Sequence, residues 1–179
     1  MTTDEKRLIA DCRIMVIGAS DFIDSVNAEL IKSGFSSISI VSSLQAQPDL
    51  ASADMVAECV GEGRDCIKEE LMIPIIYPFD FVDGAGAIVI MPGDDNELQR
   101  KDNMRLWAAE YMAGYCAFWN VEGCDWLQTA LQSISAGKNS DGALRTAAHI
   151  CARIAANIAV GRKVKHFPRF YLSKNLEVV

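Results

Sequence analysis

Apolar residues along this chain fall into two alternating kinds of segment. Short, nearly unbroken runs stand at 14–17 (IMVI), 38–41 (ISIV) and 87–91 (AIVIM), and between them lie longer stretches whose apolar residues recur every three or four positions. The first kind reads as strands of a buried sheet and the second as helices laid on it. Their alternation predicts an α/β fold, Rossmann-like, with a mostly parallel sheet and helices on both faces. The clearest unit spans Arg13 to Ser43. An apolar strand ends at Gly18, a helix over about Phe22–Lys32 carries Phe22, Val26 and Leu30 on one stripe beside Ile23 and Ile31, Gly34 caps it, and a second strand runs from Ser37 to Val41.

The same periodicities give the remaining elements. Thr2 with Glu5 forms a capping box that opens a short helix through about Ala10. Residues 44–72 read as one or two helices broken at Gly61-Glu62-Gly63, with Asp54, Glu58, Glu62, Asp65, Glu69 and Glu70 on a solvated face. Ile73–Phe79 is apolar but holds Pro74 and Pro78, which assigns it to an edge or irregular strand. Residues 87–93 read as a central parallel strand. A helix to about Ala113, a strand from Tyr115 to Val121, a short amphipathic helix around Trp126–Ile134 and a long helix from Gly142 to Val160 follow. Ser140 or Asp141 caps the last of these, Gly161 stops it, and a basic tail, RKVKHFPRFYL, carries a final strand.

Length and composition narrow the classes of function. With 179 residues, half of them hydrophobic, the chain has material for one core, so residues 1–179 are read as a single domain. A formal net charge of -7 excludes a broad nucleic-acid footprint and leaves small molecules or proteins as partners. No run of about 18 apolar residues offers a membrane span, and the N-terminus lacks an apolar leader, so a cytoplasmic location with no membrane partner is expected. The six cysteines form no CxxC pair and the two histidines, His149 and His166, stand far apart. They read as reduced core thiols with no zinc site.

Candidate chemistry concentrates in two places. Gly18, Ala19 and Ser20 form the turn that opens the first sheet helix, where unpaired N–H groups and the helix dipole attract phosphate. Only the first glycine of a dinucleotide fingerprint is present, and Asp21 and Asp24 follow it. Ser42 ends the second strand, where an acidic residue commonly holds ribose hydroxyls and a serine can still bond them. The second place is the polar stretch Asp94–Asn103 after residues 87–93, read as the carboxyl end of a parallel strand, where such sheets bind ligands.

The order of these pieces resembles the ThiF/MoeB/HesA family, which shares the fold of ubiquitin-activating enzymes. Residues 14–42 resemble its opening strand, glycine turn, helix and second strand, and Asp95-Asn96-x-x-x-Arg100 is similar to the Asp-Asn-x-x-x-Arg after its fourth strand. The resemblance implies ATP and magnesium as cofactors and adenylation of a carboxylate, on a small molecule or a carrier protein, in cofactor or sulfur-carrier metabolism. It implies Asp95 as metal ligand and catalytic group, Arg100 as its catalytic support, and Gly18, Ala19, Ser20, Ser42 and Asn96 as nucleotide-binding residues. The chain departs from the family in lacking its arginine-and-lysine segment after the second strand, its zinc CxxC pairs and its thioester-cysteine loop. Two alternatives stand beside it. One is a degenerate, non-catalytic Rossmann-fold dimer acting as a binding or scaffolding subunit. The other is an NAD(P)-binding protein related to extended short-chain dehydrogenases, whose GASGFIGS turn GASDFIDS resembles, although no tyrosine here has a lysine four residues on. A homodimer is expected, because Ile150, Ala152, Ala156 and Ala159 extend the apolar surface of the long helix and Trp107, Tyr111, Phe118, Trp119 and Trp126 crowd the region before it.

Overall fold

A computed structural model describes residues 1–18, 20–42, 50–59 and 71–174. In chain order it contains α1 (Thr3–Asp11), β1 (Arg13–Gly18), α2 (Ser20–Ser33), β2 (Ser37–Val41), a 3-10 turn (Leu50–Ser52), β3 (Met55–Cys59), β4 (Ile75–Asp80) and β5 (Gly84–Ile90). A second 3-10 turn (Glu97–Arg100), α3 (Met104–Phe118), α4 (Trp126–Ser135), α5 (Asp141–Ala159) and β6 (Tyr171–Lys174) complete it. The described strands form one sheet in the order β2-β1-β3-β4-β5-β6. β2, β1, β3 and β4 run parallel, whereas β5 and β6 are antiparallel to their neighbours. The fold is the expected mixed α/β, Rossmann-like sheet, parallel over most of its pairings.

Alternation along the central strands sends side chains to two cores. Ile14 and Val16 of β1 and Met55, Ala57 and Cys59 of β3 face a core closed by Ile9 of α1, Phe22, Val26 and Leu30 of α2, and the alanine-rich stripe of α5. Met15, Ile17, Val56, Tyr77 and Ile88 face the other, closed by Leu98, α3 and α4. Helices therefore cover both faces, as buried parallel strands require. The caps read from the sequence hold. Thr2 and Glu5 form the reciprocal box, Ser140 Oγ accepts the Ala143 N–H at 3.3 Å, and Gly34 and Gly161 sit at φ +104° and +70°. Ile150, Ala152, Ala156 and Ala159, which the sequence sets beyond the main stripe of the long helix, pack into the first core, and the exposed positions of α5 are Asp141, Arg145, His149 and Arg153.

Four expectations are corrected. Within 44–72, expected to be helical, Met55–Cys59 is a strand buried on both faces, and Glu58, expected on a solvated face, is only 4 % exposed; 43–49 and 60–70 lie outside the described residues. A five-residue strand with no polar face has no alternation to betray it. Ile75–Asp80, expected at an edge, is central, and Pro78 is accommodated because β4 pairs with β3 only through Ile75 and Ile76. Residues 87–90 belong to a strand antiparallel to β4, not a parallel one. Only Phe81, Val82 and Asp83 separate the two strands, and a parallel crossover needs about a dozen residues. Tyr115–Phe118 continues α3 as helix, because Gly114 lies on an open face while Ala113 and Cys116 keep the buried stripe in phase.

Candidate functional site

The parallel strands set their carboxyl ends side by side, and the residues there form the candidate site. Gly18 pairs in register with Cys59 of β3, and Val41 of β2 pairs with Ile17 on the other side, so Ser42 emerges next to Gly18. β1 thus connects outward to β2 while β3 lies on its opposite flank. Such a reversal of strand order is where open α/β sheets form their ligand crevice. α2 begins at Ser20, directly after this point, and Ser42 and Asp21 are exposed there. Ala19 lies outside the described residues, and so does the side chain of Ser20.

Gly18 is required by packing. A Cβ at this position would stand 2.5 Å from the Cys59 carbonyl oxygen and 2.6 Å from its Cβ, distances no relaxed side chain tolerates. The space beside its Cα is filled by β3, so the residue is explained by close strand contact before any ligand is invoked.

The second set of sequence-predicted residues arrives elsewhere. Because β5 runs against β4, with Ile90 opposite Ile75, it ends at the amino end of the parallel strands. The Met91–Asp94 turn is closed there by an Asp94 carboxylate oxygen that accepts the Met91 N–H at 2.8 Å and lies 2.8 Å from His166 Nδ1. From this turn the chain returns across the sheet face, burying Leu98. Asn96 donates its amide to the Tyr77 hydroxyl at 3.1 Å, and Asp95 is exposed. Asp95 and Asn96 are therefore not delivered to the Gly18 end by a parallel strand. This corrects their expected placement at a carboxyl end, and its cause is the tight β4–β5 connection. The side chain of Arg100 lies outside the described residues. Among those that are described, no group of three or more His, Cys, Asp or Glu is assembled to hold a metal.

Sequence reading missed a buried ion pair at the carboxyl end of β4. Asp80, at the carboxyl end of β4, and Arg105, in the first turn of α3, are both 6 % exposed. Arg105 donates from Nε to the Asp80 carbonyl at 2.6 Å, from Nη1 to Asn139 Oδ1 at 2.8 Å and from Nη2 to the Lys138 carbonyl at 2.8 Å, while Nη2 stands 3.5 Å from Asp80 Oδ1. The Asp80 carboxylate also accepts the Val82 N–H at 2.6 Å and the Ser140 N–H at 3.1 Å. A buried charge so fully satisfied is a clamp that joins β4, α3 and the α4–α5 turn. Its signal lay in spacing, since Arg105 precedes Ala108, Ala109 and Met112 at the intervals of the buried stripe.

Three of the described thiols are held in the protonated form, and Cys66 lies outside the described residues. Burial pushes Cys151 up to about 12, and burial followed by the hydrogen bond with Cys124 does the same for Cys116. Cys12 is raised to about 11, chiefly by burial and then by Asp54. A nucleophilic cysteine needs the opposite shift.

No described helix is long and apolar enough to cross a membrane. Comparison with family models finds none that matches the chain, and comparison with curated proteins finds no match either.

Proposed function

We propose that this chain is a divergent ThiF-like, Rossmann-type domain that binds an adenine nucleotide at the Gly18 end of its sheet and does not use Asp95 for metal-dependent adenylation. The observation that carries this proposal is the reversal of strand order at β1. It sets the Gly18–Cys59 pair, the start of α2 and the exposed Ser42 at one end of the sheet. The N-terminus of α2 would face the phosphates and Ser42 the ribose. ATP, where bound, would supply phosphates for such a cradle. The described residues do not fit magnesium at the same place, because the chain brings Asp95 in from the opposite end of the sheet.

A second proposal, a binding or scaffolding subunit without nucleotide, is favoured by Asp21. Its carboxylate is exposed in the first turn of α2, where it complements the helix dipole and would repel a phosphate. Calorimetric titration with ADP and ATP, each with and without magnesium, separates the two. Saturable binding that tightens in Asp21→Asn and shows little dependence on magnesium is the expected result. Silence to about 1 mM nucleotide would leave the scaffolding role. A magnesium-dependent exchange of pyrophosphate into ATP that Asp95→Asn abolishes would restore adenylation through Asp95.

A further inference from the structure

The far edge of the sheet, remote from Gly18 by strand order, carries a second feature that the nucleotide proposal does not use. β6 pairs with β5 alone among the described residues, so its other edge presents main-chain N–H and C=O groups. Beside it lies a cleft of about 410 Å³ whose walls include Tyr115, Trp126 and Phe170 and whose cations are Lys165, Arg169 and Lys174. Glu122 is the one carboxylate among the described residues of that lining. Next to Tyr115, whose ring centroid is 6.3 Å from that of Trp119, Phe118 and Trp119 are 79 % and 63 % exposed and stack edge to face with centroids 5.1 Å apart.

Three facts show a prepared surface. Its cations are not neutralised by described carboxylates, although the Lys165 ammonium lies over the Tyr171 ring, 5.6 Å from its centroid. Arg162 is paired with Glu5 and His166 with Asp94, but Lys163, Lys165, Arg169 and Lys174 have no carboxylate partner among the described residues. The chain carries a net charge of -7, so this concentration of positive charge runs against its overall balance. The segment that bears it is also held in place. The Phe167 N–H donates to the Val89 carbonyl at 2.8 Å, the Tyr111 hydroxyl to the Pro168 carbonyl at 2.6 Å and the Lys165 N–H to the Tyr171 hydroxyl at 2.8 Å, while Tyr115 packs edge-on against Phe170 at 5.1 Å.

We propose that this edge docks an acidic peptide segment of a partner protein in extended conformation. The segment's backbone would pair with β6, its carboxylates would meet Lys165, Arg169 and Lys174, and an apolar side chain would anchor on Phe118 and Trp119. An open strand edge is matched by a peptide backbone and by neither a phosphate chain nor a membrane surface. Exposed Trp, Tyr and Phe beside Arg is the composition of a protein interface. A second copy about a twofold axis would bring like charges together, which charge complementarity opposes.

The probe is a fluorescein-labelled peptide of about twelve residues, half of them glutamate with two phenylalanines, followed by fluorescence anisotropy against the full chain. Saturable binding is expected. It should weaken about tenfold when salt rises from about 50 to 300 mM and about tenfold in Arg169→Glu/Lys174→Glu. It should also weaken in Trp119→Ser while ADP binding is unchanged. These positions are exposed, and an unaltered thermal melt confirms that the variants fold. The proposal is overturned by no saturation below about 1 mM, or by binding that ignores all three substitutions. It is equally overturned if poly(U) or phosphatidylserine vesicles bind through the same cations and the peptide does not. A mass of twice 19.6 kDa that Trp119→Ser returns to one would assign the surface to a second copy instead.

Discussion

Replacing Arg105 with methionine removes the clamp at the carboxyl end of β4 while keeping most of the side chain's apolar bulk. Arg105 and Asp80 are each 6 % exposed, and the guanidinium makes three hydrogen bonds of 2.6–2.8 Å besides facing the Asp80 carboxylate at 3.5 Å. Taking one partner from a buried pair costs about 3–5 kcal/mol, most of it the penalty on the charge left behind. Asp80 retains the Val82 and Ser140 N–H groups, so its charge is not abandoned and the low end, about 3 kcal/mol, applies. For a chain of this size that is a fall in Tm of about 6–12 °C. Urea unfolding followed by circular dichroism measures it directly. Adding Asp80→Asn should recover about 1–2 kcal/mol, since the double variant leaves no buried charge. A loss below about 1 kcal/mol in Arg105→Met would refute the reasoning, because it would mean that solvent reaches the pair.

Glycine positions should behave oppositely: Gly18→Ala, driven to 2.5 Å from the Cys59 carbonyl, should cost about 2–3 kcal/mol, whereas Gly114→Ala, with nothing within 4 Å in a helix interior, should stabilise by about 0.5–1 kcal/mol, both read by urea unfolding. Asp54 is held below the usual carboxylate range by its hydrogen bonds from Arg13, and Glu29 by those from Lys32 and then His149. Depressed carboxylates contribute stability above their unfolded values, so thermal melts should be flat near neutrality and fall as pH drops below about 4–4.5, less steeply in Arg13→Gln. Cys151 and Cys116, pushed up to about 12, and Cys12, raised to about 11, should react with Ellman's reagent at pH 8 far more slowly in the native protein than in urea, and fast native labelling of any of them would contradict their burial.

What the sequence disclosed and what it hid follow from the same physics. The β1–α2–β2 unit, the Thr2–Glu5 box, α5 with its Ser140 cap and β6 were legible because each couples a periodicity to a stop signal within a few residues. β3 was hidden because Met55–Cys59 is buried on both faces and holds Glu58 at its inner end. The direction of β5 was hidden because its apolar run is the same read either way. The informative feature was the three-residue span to β4, whose brevity excludes a crossover. That one reversal also undid the expected placement of Asp95 and Asn96. The Arg105–Asp80 clamp joins residues far apart in sequence, and the stripe spacing of Arg105 marks only one half of it.

The most direct test of the central claim is a map of backbone amide shifts on titration with ADP and then with magnesium-ATP. Saturable shifts at Gly18, Asp21, Ser42 and Cys59, with Asp95 and Asn96 unmoved, are the expected result, because the sheet brings the first four to its carboxyl end and leads the other two in from the opposite end. Shifts that include Asp95 and appear only with magnesium, or that are confined to Lys165, Arg169 and Lys174, would contradict it.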